Sequence, residues 1–197
     1  DAVQSYGMVV ADGDGRIQSF QEKPKPGEAL SNLASTGIYL FEPAVLDKVP
    51  AGQVYDIGSQ LFPQLVLEQQ AFYVQNRPFH WLDIGRVDDY WSVLQRVLRG
   101  DVASMSMPGR QIKPGVWVGL NTQVPWDQVT IEGPVYLGSS VKLEPGAHIV
   151  GPAWIGHGSV VCAGARLTRS VLFEYTRIPS GMHFEEMIIS RHYCVDR

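Results

Sequence analysis

The side chains best able to do chemistry are few and lie in the first half of the sequence. Glu22 and Lys23 are adjacent and precede a proline, and Asp83 follows Trp81 by two residues. A carboxylate accepts hydrogen bonds from hydroxyl groups or binds a hard cation, and a lysine presents a point charge to a phosphate. However, a Glu–Lys pair is equally typical of a solvated turn, and an aspartate of a chain cap. Neither motif identifies a function by itself.

Local sequence patterns predict the elements that must position these residues. Residues 6–10 form a β-rich run, residues 11–15 a turn cluster of Asp and Gly, and residues 16–21 a second extended run. Together they predict a β-hairpin. Residues 38–41 are a short apolar run that predicts a strand. Pro43 is expected to open a short helix, because proline is tolerated in the first helical turn.

Two longer helices are predicted further along. Residues 58–70 place Leu61, Leu65 and Val66 on one face, and Asp56 is expected to cap this helix at its N-terminus. Residues 87–99 carry apolar side chains at helical spacing, with Asp88 and Asp89 at the start, Arg96 and Arg99 at the end, and Gly100 as the stop. The aromatic residues Trp81, Tyr90 and Trp91 are assigned to the core.

From about residue 112 the period changes to six. Apolar residues recur without interruption at this spacing: Ile131, Leu137, Leu143, Ile149, Ile155, Val161, Leu167 and Phe173. A small or β-branched residue usually follows four positions later: Val135, Val141, Ala147, Ala153, Ser159, Ala165 and Val171. An α-helix would not carry the many glycines and prolines between them. The hexapeptide period predicts a parallel β-helix whose recurrent apolar residues point to the axis.

Composition excludes several classes of protein. The sequence is 45% hydrophobic and 18% charged with a net charge of −4, unlike a strongly basic nucleic-acid binder. No apolar run is long enough for a membrane span, and residues 1–6 lack the features of a signal peptide. Cys162 and Cys194 form no CxxC pair, so neither a zinc site nor a disulfide scaffold is predicted. We therefore expect a cytoplasmic protein that binds neither membranes nor nucleic acid.

Four stretches, taken together in this order and followed by hexapeptide repeats, carry a family resemblance: residues 6–10 (YGMVV), 20–24 (FQEKP), 34–41 (ASTGIYLF) and 81–91 (WLDIGRVDDYW). The chain resembles sugar-1-phosphate nucleotidyltransferases, among them bacterial mannose-1-phosphate guanylyltransferases and glucose-1-phosphate adenylyl- or thymidylyltransferases. The resemblance implies an α/β fold with a mixed sheet for residues 1–105, as the C-terminal, sugar-phosphate half of the catalytic domain. It implies a left-handed β-helix domain for residues 106–197.

The resemblance also implies roles for individual residues. The family joins a sugar 1-phosphate to a nucleoside triphosphate and releases pyrophosphate, a reaction that needs cations to bring two anions together. Lys23 is implied as the catalytic partner of the sugar phosphate, and Glu22 as the acceptor for sugar hydroxyls. Gly7 and Ser35 are implied to line the sugar. Asp83 is implied as the catalytic aspartate that binds Mg²⁺.

The sequence departs from the family at its start. Family members begin with a glycine-rich loop containing Gly-Thr-Arg and have a further metal-binding aspartate, whereas residues 12–15 here are an acidic turn. The chain opens on Asp1, which fits a truncated form, and we expect such a chain to be inactive alone. Thr36 stands where many guanylyltransferases have alanine. The nucleobase and the choice between mannose and glucose stay open.

Two other functions fit parts of the sequence. A hexapeptide-repeat acyltransferase would use a β-helix histidine as its general base, and His148, His157 and His183 are candidates. A non-catalytic regulatory or oligomerisation module would also explain the absence of the phosphate loop. Because a parallel β-helix ends in open edges, and because relatives associate through this domain, we expect a homo-oligomer.

Overall fold

The computed structural model describes residues 5–103 and 105–196; residues 1–4, included in the search for a signal peptide, lie outside them. The chain divides into two compact units, residues 1–81 and residues 82–197, which we call the N-terminal and C-terminal units. This division falls after Trp81, whereas the domain boundary predicted from the sequence lies between residues 105 and 106. The assignment of domains on either side of that boundary stays a prediction.

A three-stranded antiparallel sheet begins the N-terminal unit. Strand β1 (Gly7–Ala11) pairs with β2 (Ile17–Glu22) on one side and with β3 (Leu33–Ala34) on the other. The Asp12 carboxylate accepts hydrogen bonds from the backbone N–H groups of Asp14 and Arg16, at 3.0 and 2.9 Å, and closes the turn between β1 and β2. The predicted β-hairpin is therefore confirmed.

The α-helices of this unit are short, and each has a proline in its first turn. Helix α1 (Pro43–Leu46) begins at a proline, as predicted. The helix predicted over residues 58–70 forms in two parts, a π-helical turn (Ile57–Leu61) and helix α2 (Phe62–Leu67). Pro63 has no N–H to donate to the carbonyl four residues earlier, which interrupts the regular helical pattern. Just before it, the backbone N–H of Phe62 donates to the carbonyl of Ile57, five residues earlier, as in a π-helix.

The strand predicted over residues 38–41 does not form, so that prediction is wrong. A strand requires a hydrogen-bonded neighbour, and β3 already ends at Ala34; among the described residues no strand pairs with this segment. The side chains of residues 38–41 nevertheless alternate between exposed and packed positions. Tyr39 packs against Phe62 with ring centroids 4.9 Å apart, whereas Leu40 is 100% exposed. The core of the unit comprises Val9, Ile17, Phe20, Leu61, Phe62 and Leu65.

The C-terminal unit begins with helix α3 (Val87–Arg99), whose bounds match the sequence prediction. Gly100 ends it in the left-handed region with φ of 79°, where glycine carries no steric penalty. The helix packs within its own unit, because Trp91 contacts Val171 and Ile188 of the coils. Trp91 is buried as predicted, and Tyr90 and Leu94 pack around the same cluster.

The remainder of the unit is a β-solenoid of about four coils, with a sheet on each of three sides. The strand orders of these sheets are β17-β16-β13-β10-β7-β5-β4, β14-β11-β8 and β15-β12-β9-β6. Successive coils pair in parallel. Among the described strands of the solenoid, only β4 and β17, at the two ends of the longest sheet, pair antiparallel with their neighbours. The strands are β4 (Arg110–Lys113), β5 (Val116–Val118), β6 (Thr130–Glu132), β7 (Val135–Leu137), β8 (Lys142–Leu143), β9 (His148–Val150), β10 (Ala153–Ile155), β11 (Val160–Val161), β12 (Arg166–Thr168), β13 (Val171–Leu172), β14 (Arg177–Ile178), β15 (His183–Glu185), β16 (Met187–Ile189) and β17 (Cys194–Asp196).

The inward positions predicted from the hexapeptide period are confirmed for most of the repeat. The buried axial residues are Leu137, Leu143, Ile149, Ile155, Val161 and Leu167. Each stacks on its counterpart in the neighbouring coil; Leu143, for example, pairs in register with Val161. The left-handedness of the coils stays a prediction from family resemblance. No helix within the described residues has the length and apolar character to cross a membrane.

The period shortens by one residue after Leu167, so the inward position predicted for Phe173 is wrong. Ile155 pairs with Leu172, which is fully buried at the axis, whereas Phe173 packs outside the coil near Tyr90. The cause is a tighter corner, in which Arg169 alone replaces the Gly-Pro pair found in the two preceding coils. Val171 consequently lies under α3 instead of at the small inward position.

Candidate functional site

Four of the predicted site residues converge at one end of the three-stranded sheet. Gly7 pairs in register with Glu22 across the hairpin, and the backbone N–H of Ser35 donates to the carbonyl of Gly7 at 2.7 Å. The backbone N–H of Lys23 donates to Tyr6, next to Gly7, at 3.3 Å. Residues far apart in sequence are therefore brought together by the pairing of β1 with both of its neighbours.

Lys23 occupies a strained backbone position with an accessible charge. Its φ is +45°, in the left-handed region that a side chain with a Cβ rarely adopts, at a cost of about 1–3 kcal/mol. The side chain is 65% exposed, and its Nζ lies 3.8 Å from Glu22 Oε1. An exposed ammonium group next to a carboxylate can hold an anion while the carboxylate accepts hydrogen bonds from hydroxyls on the same ligand.

The Glu22 carboxylate lies in a slot between two glycines. A Cβ built on Gly7 would lie 3.0 Å from Glu22 Oε2, and one built on Gly58 only 2.6 Å from the same oxygen. Gly7 also faces the Phe20 ring, which such a Cβ would approach to 2.5 Å. Packing thus favours a glycine at position 7, independently of any ligand. Sequence reasoning did not find Gly58, because only the fold brings the π-helical turn to β2.

Ser35 and Tyr39 extend the polar surface of this site. Ser35 Oγ lies 2.9 Å from the Tyr39 hydroxyl, so the two groups share a hydrogen bond. The backbone N–H of Gly37 points to the same Ser35 oxygen at 3.5 Å. Tyr39 was interpreted from the sequence only as part of an apolar run, and its hydroxyl could be placed at the site only once the chain direction after Ala34 was known.

Asp56 caps the π-helical turn, as predicted. Its Oδ1 accepts hydrogen bonds from the backbone N–H and the hydroxyl of Ser59, both at 2.7 Å. These two bonds lower the pKa of Asp56 below its ordinary value, the backbone bond contributing most, and the nearby charge of Lys23 acts in the same direction. Oδ1 would also lie 3.4 Å from a Cβ on Gly58, so the Glu22 and Asp56 carboxylates approach the same point.

Asp83 belongs to the C-terminal unit, where it lies exposed shortly before α3. Within the described ranges, no group of three or more His, Cys, Asp or Glu side chains could hold a metal ion. The described residues therefore offer a magnesium ion at most part of a ligand set. Asp83 would give one carboxylate, and the other oxygen ligands would come from water and substrate phosphates, as is usual for this ion.

Two histidines of the β-solenoid already have structural partners. His157 Nδ1 accepts a hydrogen bond from the backbone N–H of Ser139 at 2.9 Å. His148 Nε2 lies 3.2 Å from Glu132 Oε1. His183 is exposed on β15. The two cysteines are both free, Cys162 buried and Cys194 exposed.

The chain is similar to known nucleotidyltransferases. Residues 1–100 match the model of the nucleotidyl transferase family. The chain is 45% identical over its whole length to a UTP–glucose-1-phosphate uridylyltransferase of Synechocystis, covering 51% of that protein. It is 24% identical to a mannose-1-phosphate guanylyltransferase of Mycobacterium tuberculosis, over 92% of this chain and 45% of that protein. It is 26% identical to a glucose-1-phosphate adenylyltransferase of Desulfitobacterium hafniense, over 95% of this chain and 48% of that protein.

The family match and the stacked sheets define the class of protein. It has an α/β nucleotidyltransferase fold followed by a β-solenoid, as the sequence resemblance implied. The chain belongs to the nucleotidyl transferase family. It spans about half the length of the curated relatives it matches.

Proposed function

We propose that this chain is the sugar-phosphate side of a nucleotidyltransferase that joins a sugar 1-phosphate to a nucleoside triphosphate, with release of pyrophosphate. The observation that carries the proposal is the convergence of Gly7, Glu22, Lys23 and Ser35 at one end of the sheet. A charged amine and two hydroxyl-binding groups at one place match a ligand that combines a phosphate with a sugar ring.

Each side chain has a distinct role in this proposal. Lys23 is the phosphate partner, and its ammonium group neutralises the anion that must attack the α-phosphorus. The Glu22 carboxylate accepts hydrogen bonds from sugar hydroxyls, while Ser35 and the backbone at Gly7 border the sugar ring. Asp83 contributes one ligand to a magnesium ion, which supplies charge stabilisation to the transferred phosphoryl group.

Glucose 1-phosphate is the first substrate to test. The relative with 45% identity over the whole chain is named for UTP and glucose 1-phosphate, whereas the relative named for mannose 1-phosphate shares 24%. We propose the same pair of substrates for the protein to which this chain belongs. The guanylyltransferase specificity considered from the sequence is the competing outcome of the same assay.

Binding of the sugar phosphate tests the proposal directly. Titration calorimetry of the 197-residue chain with glucose 1-phosphate and mannose 1-phosphate is expected to show binding that Lys23→Ala weakens about tenfold or more, since a hydrogen bond to a charged group is lost. Lys25→Ala is the matched control, because Lys25 is exposed two residues away. Binding of neither sugar phosphate, or equal losses in the two variants, would refute the assigned role of Lys23.

Turnover tests the proposed division of the active site. We expect this chain alone not to release pyrophosphate from any nucleoside triphosphate. The two residues to which resemblance gives these roles, Lys23 as phosphate partner and Asp83 as metal ligand, are too few to hold a triphosphate, a sugar phosphate and Mg²⁺ together. The chain is assayed with each sugar phosphate and each triphosphate in the presence of Mg²⁺. Robust turnover would show that residues 1–197 contain a complete site.

Assembly and location complete the proposal. We propose a homo-oligomer, because the coils of the β-solenoid leave open sheet edges on which a second copy can pair. Light scattering at micromolar concentration tests this, and a monomeric mass would contradict it. A cytoplasmic location is part of the same proposal.

A further inference from the structure

Gly58 occupies a position where its own backbone does not require glycine. It lies buried in the π-helical turn, and its φ is outside the left-handed region. Glycine at a helical position costs stability relative to alanine, because it loses more conformational freedom on folding. What glycine provides at this position is the space that its missing side chain leaves.

That space is used by a carboxylate. The three heavy atoms nearest to a Cβ built on Gly58 all belong to Glu22 and Asp56: Glu22 Oε2 at 2.6 Å, Glu22 Cδ at 3.1 Å and Asp56 Oδ1 at 3.4 Å. A real methyl group would not tolerate the first of these contacts. Asp56 is fixed by its two hydrogen bonds to Ser59, so the group that must move is Glu22.

Glu22 has the freedom to move. Its carboxylate forms an ion pair with Lys23 at 3.8 Å, and it has no hydrogen-bond partner within the described residues. A methyl group at position 58 would therefore displace the end of a flexible side chain and leave the backbone where it is. The contrast is Gly7, where an added Cβ meets the rigid, buried ring of Phe20.

We propose that Gly58 is a positioning residue for sugar specificity. The space left by its missing side chain lets the Glu22 carboxylate lie where it can accept hydrogen bonds from sugar hydroxyls. The proposal rests on the proposed function, in which Glu22 binds the sugar. It assigns Gly58 to the recognition of the sugar ring and not to that of the phosphate, because Gly58 borders Glu22 Oε2, whereas Lys23 Nζ pairs with the other oxygen, Oε1, at 3.8 Å.

The test compares two glycine variants of the 197-residue chain. In Gly58→Ala, affinity for glucose 1-phosphate or mannose 1-phosphate should fall about 10- to 100-fold, while affinity for inorganic phosphate stays the same. The melting temperature should not fall, because alanine favours the helical turn. Gly13→Ala is the matched control: Gly13 has an ordinary φ and no atom within 4 Å of an added Cβ, and all three measurements should match the wild type.

A double-variant comparison separates positioning from general disturbance. If Gly58 acts through Glu22, then adding Gly58→Ala to a Glu22→Ala chain should change sugar-phosphate affinity no further. A crystal structure of Gly58→Ala should show the Glu22 carboxylate displaced from its wild-type position.

The outcomes are distinct. Binding of neither sugar phosphate by the wild-type chain would overturn the proposed function together with this inference. Wild-type binding with an unchanged affinity in Gly58→Ala, an additive loss in the double variant, or an unmoved Glu22 would overturn this inference alone.

Discussion

The two units differ in how neighbouring side chains are specified. In the C-terminal unit, a residue packs on its counterpart one coil away, as Leu137 does on Ile155 and Ile155 on Leu172. In the N-terminal unit, the partners come from unrelated segments, as when the Phe62 ring contacts Phe20, Tyr39 and Phe72. In a repeat, the period of the sequence predicts which side chains pack together. In a unit without a repeat, the packing contacts join distant segments and cannot be predicted from any local pattern.

Both units combine a buried core with exposed apolar side chains. In the C-terminal unit the axial residues are almost completely buried, whereas Leu120 and Tyr175 are exposed. In the N-terminal unit Leu61 and Phe62 are fully buried, whereas Leu40 is exposed. Burial therefore stabilises both cores, and the units differ in how regularly the buried positions recur. The candidate sugar-phosphate site lies in the less regular unit, whose polar groups face solvent.

The largest expected effect comes from opening a cavity in the solenoid axis. Leu143 is 2% exposed, and Leu143→Ala should lower the free energy of unfolding by about 2–5 kcal/mol in urea denaturation. Leu120→Ala is the matched control, since the same atoms are removed from a side chain that is 78% exposed; its effect should stay within about 0.5 kcal/mol. Similar losses for the two variants would contradict the burial of Leu143 at the solenoid axis.

A smaller effect is expected from overpacking the N-terminal unit. Gly7→Ala would place a methyl group against the buried Phe20 ring, at a cost of about 1–3 kcal/mol by thermal or urea unfolding. Gly13→Ala, in the exposed turn of the same hairpin, should be close to neutral. Equal stability of the two variants would show that Phe20 can move aside, and that this unit is packed more loosely than the coils.

Sequence reasoning succeeded where the determinants were local. The inward solenoid residues through Leu167 follow from the period, and the ends of α3 follow from its charges and from Gly100. The period failed at Phe173, because the Arg169 corner removes one residue without a glycine or proline to mark the change. The strand predicted at residues 38–41 failed because an apolar run shows only that its side chains can pack, and not whether a neighbouring strand is present.

The candidate site was predictable in composition but not in geometry. Resemblance indicated Gly7, Glu22, Lys23 and Ser35, and strand pairing brings all four together. The slot between Gly7 and Gly58 could not be predicted, because it joins β1, β2 and a turn more than thirty residues away. The catalytic roles of Lys23 and Asp83 stay predictions.

Removal of the Asp56 cap should have a moderate, pH-dependent effect. Asp56→Ala removes the acceptor for two hydrogen bonds and should cost about 1 kcal/mol of unfolding free energy near neutral pH. The folded-state pKa of Asp56 is lowered from 3.8, so its contribution is present above that value and is lost as the pH falls through the folded-state pKa. The difference between wild type and variant in urea unfolding should therefore shrink below about pH 4.

Asn at the same position provides the control for this pH effect. Asp56→Asn keeps a side-chain oxygen at the cap but cannot titrate, so it should retain most of the stability and lose the acid dependence that Asp56 contributes. An Asp56→Ala penalty that stays constant down to pH 2 would contradict the lowered pKa.

The smallest expected effect concerns the corner that shortens the solenoid period. Arg169 has φ of +43°, and its guanidinium group donates to Glu186 Oε1 at 2.9 Å and to Glu185 Oε1 at 2.6 Å, which raises the pKa of Arg169. Arg169→Ala removes both ion pairs but keeps the backbone strain, whereas Arg169→Gly removes the ion pairs and the strain together. The glycine variant should therefore melt at a higher temperature than the alanine variant. Added salt should bring the alanine variant closer to the wild type, because it screens the exposed ion pairs. A glycine variant that melts below the alanine variant would contradict the backbone strain assigned to Arg169.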